Sequence, residues 1–128
     1  MVPKFRAWDK NNKEMISWRY LLNGYNLRNV FMRPEMCGLE LMQSTGLKDK
    51  NDVEIFEGDI VSVRNHPFQK IEKSGAGIEI DDDYAISWNE GDLTWCAGNL
   101  LLARLKPYVT VAGNIYENPE LLDQSNES

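Results

Sequence analysis

A chain of 128 residues, 42% of them hydrophobic, has the size and composition of one globular domain and not of a disordered segment. Its net charge of −6 excludes general attraction to nucleic acid unless a basic face is segregated. No apolar run approaches the roughly 20 residues that cross a bilayer. The first charged residues are not followed by an apolar segment, so we expect no signal peptide and a cytoplasmic location.

The charge is unevenly distributed along the chain. Residues 1–33 contain seven Lys and Arg against two Asp and Glu, which leaves +5. Residues 34–128 contain seven Lys and Arg against eighteen Asp and Glu, which leaves a net charge of −11. We interpret this division first as attraction between the two parts, within one fold or across an oligomer. A basic face for a separate partner is the second interpretation.

The N-terminal region is predicted to begin with a β-hairpin. The strands would be Lys4–Asp9 and Met15–Tyr20, joined by a turn rich in Asn and Lys. The second strand would direct three side chains to one face: Ile16, Trp18 and Tyr20. Residues 21–38 are predicted as a long loop that includes a short strand at Leu27–Met32.

Three strands are predicted in the central region: Leu39–Ser44, Val53–Glu57 and Ile60–Arg64. A turn over residues 45–52 would separate the first two. A bend at Gly58-Asp59 would separate the others, because glycine adopts positive φ and aspartate accepts nearby backbone N–H groups. The last of these strands would direct Val61 and Val63 to the same side.

The next region is predicted as a loop over residues 65–77, followed by a hairpin. Its strands would be Ile78–Asp81 and Tyr84–Trp88, with Asp82-Asp83 at the turn, and a second turn would follow at residues 89–92.

The C-terminal region is predicted to contain one strand and one helix. Leu100–Leu105 fits either a short helix or a buried strand, and both remain open. Tyr108–Tyr116 is predicted as a strand with three residues facing one way: Val109, Val111 and Ile115. A helix is expected from Asn118-Pro119, which offer an N-cap residue and a proline at the first helical position.

These elements together predict a mainly β fold with minor α content. The architecture would be a small, partly closed β-barrel or a pair of packed antiparallel sheets, with a short C-terminal helix. We predict one domain over residues 1–123 and a polar C-terminal tail over residues 124–128.

Three blocks of the sequence together resemble the YopX family: Lys4–Asp9, Leu41–Asn51 continued by Glu54–Val61, and Gly113–Leu122. They stand in the family's order and span nearly the whole chain. The family usually has Gly after the Asn of the middle turn, where this chain has Asp52, a residue type that tolerates left-handed geometry better than most. The resemblance implies a YopX-like β domain of phage or prophage origin in a bacterial host. It transfers no activity and no site residues.

Few residues in the chain suggest catalysis or a cofactor. The single histidine is His66, and Cys37 and Cys96 lie too far apart for paired-ligand spacing, so we interpret both as free thiols. Gly75-Ala76-Gly77 lacks the following Lys-Ser/Thr of a phosphate-binding loop. We therefore expect no catalytic residues, no metal and no cofactor.

One acidic stretch supports an alternative hypothesis, a metal-dependent hydrolase. Its carboxylates are Glu79, Asp81, Asp82, Asp83, Glu90 and Asp92, and no Lys or Arg occurs in residues 78–103. Clustered carboxylates hold Mg²⁺ or Ca²⁺ or transfer protons, although the EF-hand spacing is missing. Solvated turns are the simpler interpretation, and an anionic patch for a basic partner is kept as another.

The basic N-terminal third supports a second alternative, a nucleic-acid-binding β-barrel. Six aromatic residues are interleaved there with arginines: Phe5, Trp8, Trp18, Tyr20, Tyr25 and Phe31. Such rings stack on bases while arginines contact phosphates, although large aromatics in a small domain more often belong to the core. The candidate binding residues are Arg6, Trp8, Arg19 and Arg28, with Trp8 on the same face as Arg6.

The hypothesis that we carry forward is a non-catalytic phage accessory protein that acts through protein–protein contacts. Its partner would be a host or phage protein, or a second copy in a homo-oligomer. Nucleic acid is the runner-up partner, and no membrane contact is expected.

Overall fold

The computed structural model describes residues 4–64, 81–98 and 100–125. The chain divides into two compact units, Met1–Ser44 and Thr45–Ser128. The fold is mainly β, with two antiparallel sheets, one of them a half-barrel, and a short C-terminal helix, so the predicted fold class is confirmed. That residues 1–123 form one domain stays a prediction. None of the described helices combines the length and the apolar character that a membrane span requires.

The first unit is built on a central strand, β1 (Phe5–Asp9). It pairs antiparallel with β2 (Glu14–Ile16) on one side and with β3 (Leu39–Lys48) on the other. The predicted N-terminal hairpin is therefore confirmed, but its second strand ends at Ile16. Strand β3 runs four residues beyond the predicted Leu39–Ser44, so the turn that follows is shorter than expected.

Two short helices replace the predicted extended segments in residues 17–32. Ser17 accepts the N–H of Tyr20 at 3.4 Å and caps α1 (Trp18–Gly24). Asn26 accepts the N–H of Asn29 at 3.3 Å and caps α2 (Leu27–Met32). The predicted strand at Leu27–Met32 and the strand conformation of Trp18 and Tyr20 are wrong, because these capping residues start helices. A 3-10 helix, Pro34–Cys37, then leads to Gly38 at φ +72°.

The core of the first unit lies between its sheet and these helices. Its buried residues come from all three strands and both helices: Ala7, Ile16, Leu21, Val30 and Leu39. The Phe5 ring contacts the Phe31 ring at 4.9 Å and the Trp18 ring at 5.9 Å between centroids. The helices therefore cover the sheet face to which Phe5 and Ala7 belong.

In the described part of the second unit there are six further strands: β4 (Glu54–Phe56), β5 (Asp59–Val63), β6 (Asp82–Asn89), β7 (Thr94–Ala97), β8 (Leu100–Leu101) and β9 (Val109–Asn114). Five of them form a sheet in the order β8-β7-β6-β5-β9, and β4 pairs with the end of β3. Helix α3 (Glu120–Ser125) follows, as predicted, and extends into the expected tail. Among these described residues, the core contains Ile55, Val61, Val63, Ile86, Ala97, Leu102, Leu105 and Val109.

Several predictions for the second unit are confirmed, and one is wrong. Val61 and Val63 are both buried, as expected. The hairpin with a turn at Asp82-Asp83 is wrong: both residues lie within β6 and pair with Val63 and Ser62 of β5. The predicted loop over residues 65–77 and the strand residues 78–80 lie outside the described residues. The turn after Asn89 is confirmed, since it connects β6 to β7.

The region after β7 also departs from the prediction in detail. Leu100–Leu101 form a short strand and Leu102–Arg104 a 3-10 helix, so the two open alternatives each describe part of the segment. Strand β9 is confirmed, but Ile115 follows its end and is 37% exposed, whereas Val109 is fully buried. A register shift between Ile60 and Val61 interrupts the alternation on this side of the sheet.

Candidate functional site

Four polar residues are buried within the described chain, and all belong to the sequence blocks that resemble the YopX family. They are Asp9, Asp49, Asp59 and Asn114. A buried carboxylate is a natural candidate for an acid, a base or a metal ligand. The hydrogen bonds of each residue show what it does in this fold.

Asp9 organises the turn between β1 and β2. Its Oδ1 accepts the backbone N–H groups of Asn11 and Asn12 at 2.9 and 3.1 Å, and its Oδ2 accepts the side-chain amide of Asn12 at 2.9 Å. The N–H of Asn12 is the main reason that the pKa of Asp9 lies below its ordinary value, against the opposing effect of burial. This carboxylate is therefore a turn residue.

Asp49 plays the same part after β3. Its Oδ1 accepts the N–H groups of Asn51 and Val53 at 2.8 and 2.9 Å, and its Oδ2 accepts the N–H of Val111 at 2.9 Å. Burial alone raises the pKa of Asp49, but these three donors together with Lys50 outweigh burial and leave the pKa below its ordinary value. The carboxylate is thus held ionised by backbone groups.

The last two buried polar residues, Asp59 and Asn114, stand opposite each other on β5 and β9. Asp59 Oδ2 accepts the N–H of Phe56 at 2.8 Å and closes the bend at Gly58. Asn114 Oδ1 accepts the N–H groups of Tyr116 and Glu117 at 3.0 and 2.8 Å. The buried polar residues of these sequence blocks therefore accept backbone N–H groups and hold turns of the fold.

The acidic stretch is divided by strand β6. Asp82 and Asp83 lie at its start, where Arg64 Nη2 is 3.1 Å from Asp83 Oδ1. Glu90 and Asp92 follow its other end, about 20 Å away at the rise of a β-strand. Among the described residues no group of three or more His, Cys, Asp or Glu side chains is placed to hold a metal ion. Glu79 and His66 lie outside those residues.

The four residues predicted to bind nucleic acid lie on two sides of β1. Arg6 and Trp8 are half-buried, with Arg6 opposite Met42 of β3, on the sheet face turned away from Ala7. Arg19 and Arg28 are exposed on α1 and α2, which pack against the Ala7 face. The structure therefore brings Arg6 and Trp8 to one face but does not unite all four residues.

Helices α1 and α2 carry exposed apolar residues that the sequence reasoning assigned to strands or to a loop. Helix α1 buries Leu21 and α2 buries Val30, so the opposite side of each helix faces solvent. Together with the 3-10 helix they form what we call the helical surface, made of exposed side chains: Arg19, Tyr20, Leu22, Arg28, Met32, Arg33 and Met36. The sequence signals for these helices are the N-cap residues Ser17 and Asn26, which the strand and loop predictions passed over.

A cavity of about 310 Å³ opens on the helical surface. It is lined by Asn29, Arg33, Met36 and Cys37, and Arg33 Nη1 lies 3.8 Å from Met36 Sδ. Cys37 is half-buried, Cys96 is buried, and both are free thiols. The cavity thus combines one guanidinium and one amide with two soft sulfur-containing side chains.

Comparison with known proteins agrees with this fold. The family model described as YopX protein matches residues 4–123. The crystal structure of protein EF1440 from Enterococcus faecalis is 31% identical to this chain, with a TM-score of 0.56, and the match covers 95% of this chain and 99% of that one. No curated protein matches. Since the family model spans nearly the whole sequence, the chain belongs to the YopX family.

Proposed function

We propose that this chain is a non-catalytic protein-interaction module that binds its partner through the helical surface. The observation that carries the proposal is the exposure of large apolar side chains on the solvent side of short helices. Tyr20 and Met32 are each 72% exposed, and Met36 is 73% exposed. The exposure of several large apolar side chains on the outer side of these short helices supports an interaction site here.

The composition of the segment supports the same function. Residues 18–37 contain three arginines, two tyrosines and two methionines, but no lysine and a single acid, Glu35. Protein–protein interfaces are enriched in Tyr, Met and Arg and depleted in Lys, Glu and Asp, and Tyr and Arg supply many of their hot spots. The helical surface therefore has the residue content of an interface as well as its exposure.

The alternatives draw less support from the described residues. The buried carboxylates of Asp9 and Asp49 are bonded to backbone N–H groups, and the acidic stretch is split between the two ends of β6. The residues predicted for nucleic acid are divided between two sides of β1. A protein partner accounts for exposed methionine and leucine side chains, which offer little to a phosphate backbone.

We propose further that the module acts as a phage or prophage accessory protein in the cytoplasm of a bacterial host. The resemblance to the YopX family supports this context. Transcript measurements before and after prophage induction test it: we expect the gene to be expressed with its phage neighbours, and expression with unrelated host genes only would contradict it.

Site-specific photo-crosslinking in bacterial cells tests the proposed surface. A photoreactive phenylalanine analogue replaces Met32 in one variant and Ala112, an exposed residue of β9, in a matched control. We expect a protein adduct of discrete mass from position 32 and none from position 112. An adduct pattern that is the same at both positions, or no adduct from position 32, would contradict the proposal.

A further inference from the structure

The hairpin between β6 and β7 carries a second exposed surface that combines apolar and charged residues. Leu93 is 73% exposed and Trp88 is 43% exposed, and the acids Glu90 and Asp92 beside them are also exposed. We call this set the hairpin tip: Trp88, Glu90, Asp92 and Leu93. The Trp88 ring contacts the Trp95 ring at 5.1 Å between centroids, so one side of the tip is supported by an aromatic pair.

The conformation of Leu93 is unfavourable for an isolated chain. Its φ of +51° lies in the left-handed region, where hairpin turns normally place Gly or Asn. The turn itself is stable, because the N–H of Asp92 donates to Asn89 Oδ1 at 3.0 Å. A leucine here therefore combines an unfavourable backbone with an exposed apolar side chain, and burial of that side chain by a partner would offset both.

The charges of the hairpin tip and the helical surface are opposite. The helical surface presents Arg19, Arg28 and Arg33, whereas the tip presents Glu90 and Asp92. Residues 81–98 contain no Lys or Arg. Within the described part of the chain, none of these five groups forms an ion pair. Each surface thus places charge of one sign beside exposed apolar side chains, which is the arrangement of two complementary interface halves.

We propose that the partner of the helical surface is a second copy of this chain, which docks through its hairpin tip. This inference rests on the proposed function and names its partner. In the contact, Leu93 enters the cavity lined by Met36 and Cys37, and Asp92 meets Arg33. A head-to-tail contact of this kind leaves each pair of copies with one free helical surface and one free hairpin tip. Repetition of the contact builds a ring or an open chain of copies.

Sedimentation velocity with complementary charge reversals tests the inference on the full chain. One variant reverses the helical surface (Arg28→Glu with Arg33→Glu), and the other reverses the tip (Glu90→Lys with Asp92→Lys). We expect the wild type to self-associate with increasing concentration and to dissociate at high salt. Each variant alone should associate about tenfold more weakly or not at all. Their equimolar mixture should associate again, since each surface meets its complement.

Circular dichroism spectra that match the wild type establish that both variants are folded, and recovery in the mixture provides the same evidence independently. A wild type that stays monomeric over a hundredfold range of concentration would overturn the inference. So would variants that associate as well as the wild type, or a mixture that stays monomeric. Binding of a single-stranded oligonucleotide that competes with association would assign the helical surface to nucleic acid instead.

The two proposals fail separately. If the purified chain is monomeric while the photoreactive group at position 32 still captures a different protein in cells, the helical surface binds a partner and only the identity of that partner is wrong. If position 32 captures nothing and the chain is monomeric, both proposals are wrong.

Discussion

The carboxylate of Asp49 accepts the backbone N–H of Val111 at 2.9 Å, although 62 residues separate them in the chain. The same side chain accepts the N–H groups of Asn51 and Val53, so a turn residue also ties that turn to strand β9. Because Asp49 is 1% exposed, water replaces these bonds poorly if the carboxylate is lost.

Replacing Asp49 by Asn should therefore lower the free energy of unfolding. The carboxamide keeps one acceptor oxygen but turns an NH₂ group toward a backbone donor, and we expect a loss of about 2–3 kcal/mol. Urea unfolding at neutral pH measures it. Asp52→Asn, an exposed change in the same turn, is the control and should alter the free energy by no more than about 0.5 kcal/mol. Equal effects of the two substitutions would contradict the role of Asp49.

Stability should fall on acidification, and Asp49 should account for part of the fall. The pKa of Asp49 and that of Asp9 lie below the ordinary value of 3.8. A carboxylate with a lowered pKa in the folded state stabilises the fold above its unfolded pKa, and this stabilisation is lost as pH falls through the folded value. Urea midpoints measured from neutral pH to below pH 3.8 should decrease for the wild type and decrease less for Asp49→Asn. Parallel curves would contradict this.

The turn after β3 offers a stabilising substitution at Asp52. This residue has φ +68°, in the left-handed region, where the family usually has glycine. Asp52→Gly should raise the free energy of unfolding by about 0.5 kcal/mol. Glycine relieves the strain of the left-handed backbone in the folded state, and the greater entropy of glycine in the unfolded chain offsets part of this gain. Asp52→Ala should lower it, because alanine gains neither freedom nor a side-chain hydrogen bond. An Asp52→Ala variant more stable than Asp52→Gly would contradict the left-handed conformation at position 52.

Gly113 leaves space that the side chain of Asn118 fills. A β-carbon at position 113 would lie 2.7 Å from Asn118 Cγ, closer than real contacts allow. Asn118 Oδ1 accepts the N–H of Asn114, so displacement also breaks that bond. Gly113→Ala should therefore lower the free energy of unfolding by about 1–3 kcal/mol. Gly24→Ala has open space and is the control, with an effect near zero or stabilising. Similar losses for both would contradict the packing.

The strands that the sequence predicts best have an alternating or apolar pattern. Val61 and Val63 flank Ser62 in the short apolar run Ile60–Val63 of β5, and both are buried, as such a run predicts. The prediction for residues 17–32 was wrong because the apolar positions Trp18 and Tyr20 also fit the two-residue period of a strand over so short a segment. Ser17 and Asn26 are the residues that indicate helices, since each caps the first helical turn that follows it.

The candidate site was harder to predict for a related reason. Tyr20 and Met32 look like core residues by type, and only the helical conformation turns them away from the side that buries Leu21 and Val30. The Asp82-Asp83 pair looked like a turn because of its composition, yet its partner strand, β5, is distant in sequence. Pairing between strands separated by a long connection leaves no local signal in the chain.

The helical surface should be separable from the stability of the fold, because its apolar side chains make few contacts within the chain. A double variant, Tyr20→Ser with Met32→Ser, removes two residues that are each 72% exposed. We expect its free energy of unfolding to stay within about 0.5 kcal/mol of the wild type. A matched pair, Leu21→Ser with Val30→Ser, removes buried neighbours and should unfold the first unit.

Photo-crosslinking with this exposed double variant tests whether the helical surface binds the partner. The photoreactive group is placed at Met36, which also lies on the helical surface and is left unchanged by the two serine substitutions. We expect a discrete protein adduct from position 36 in the otherwise wild-type chain and its loss in the folded Tyr20→Ser, Met32→Ser variant. An adduct of unchanged yield in that variant would contradict the claim that this surface binds the partner.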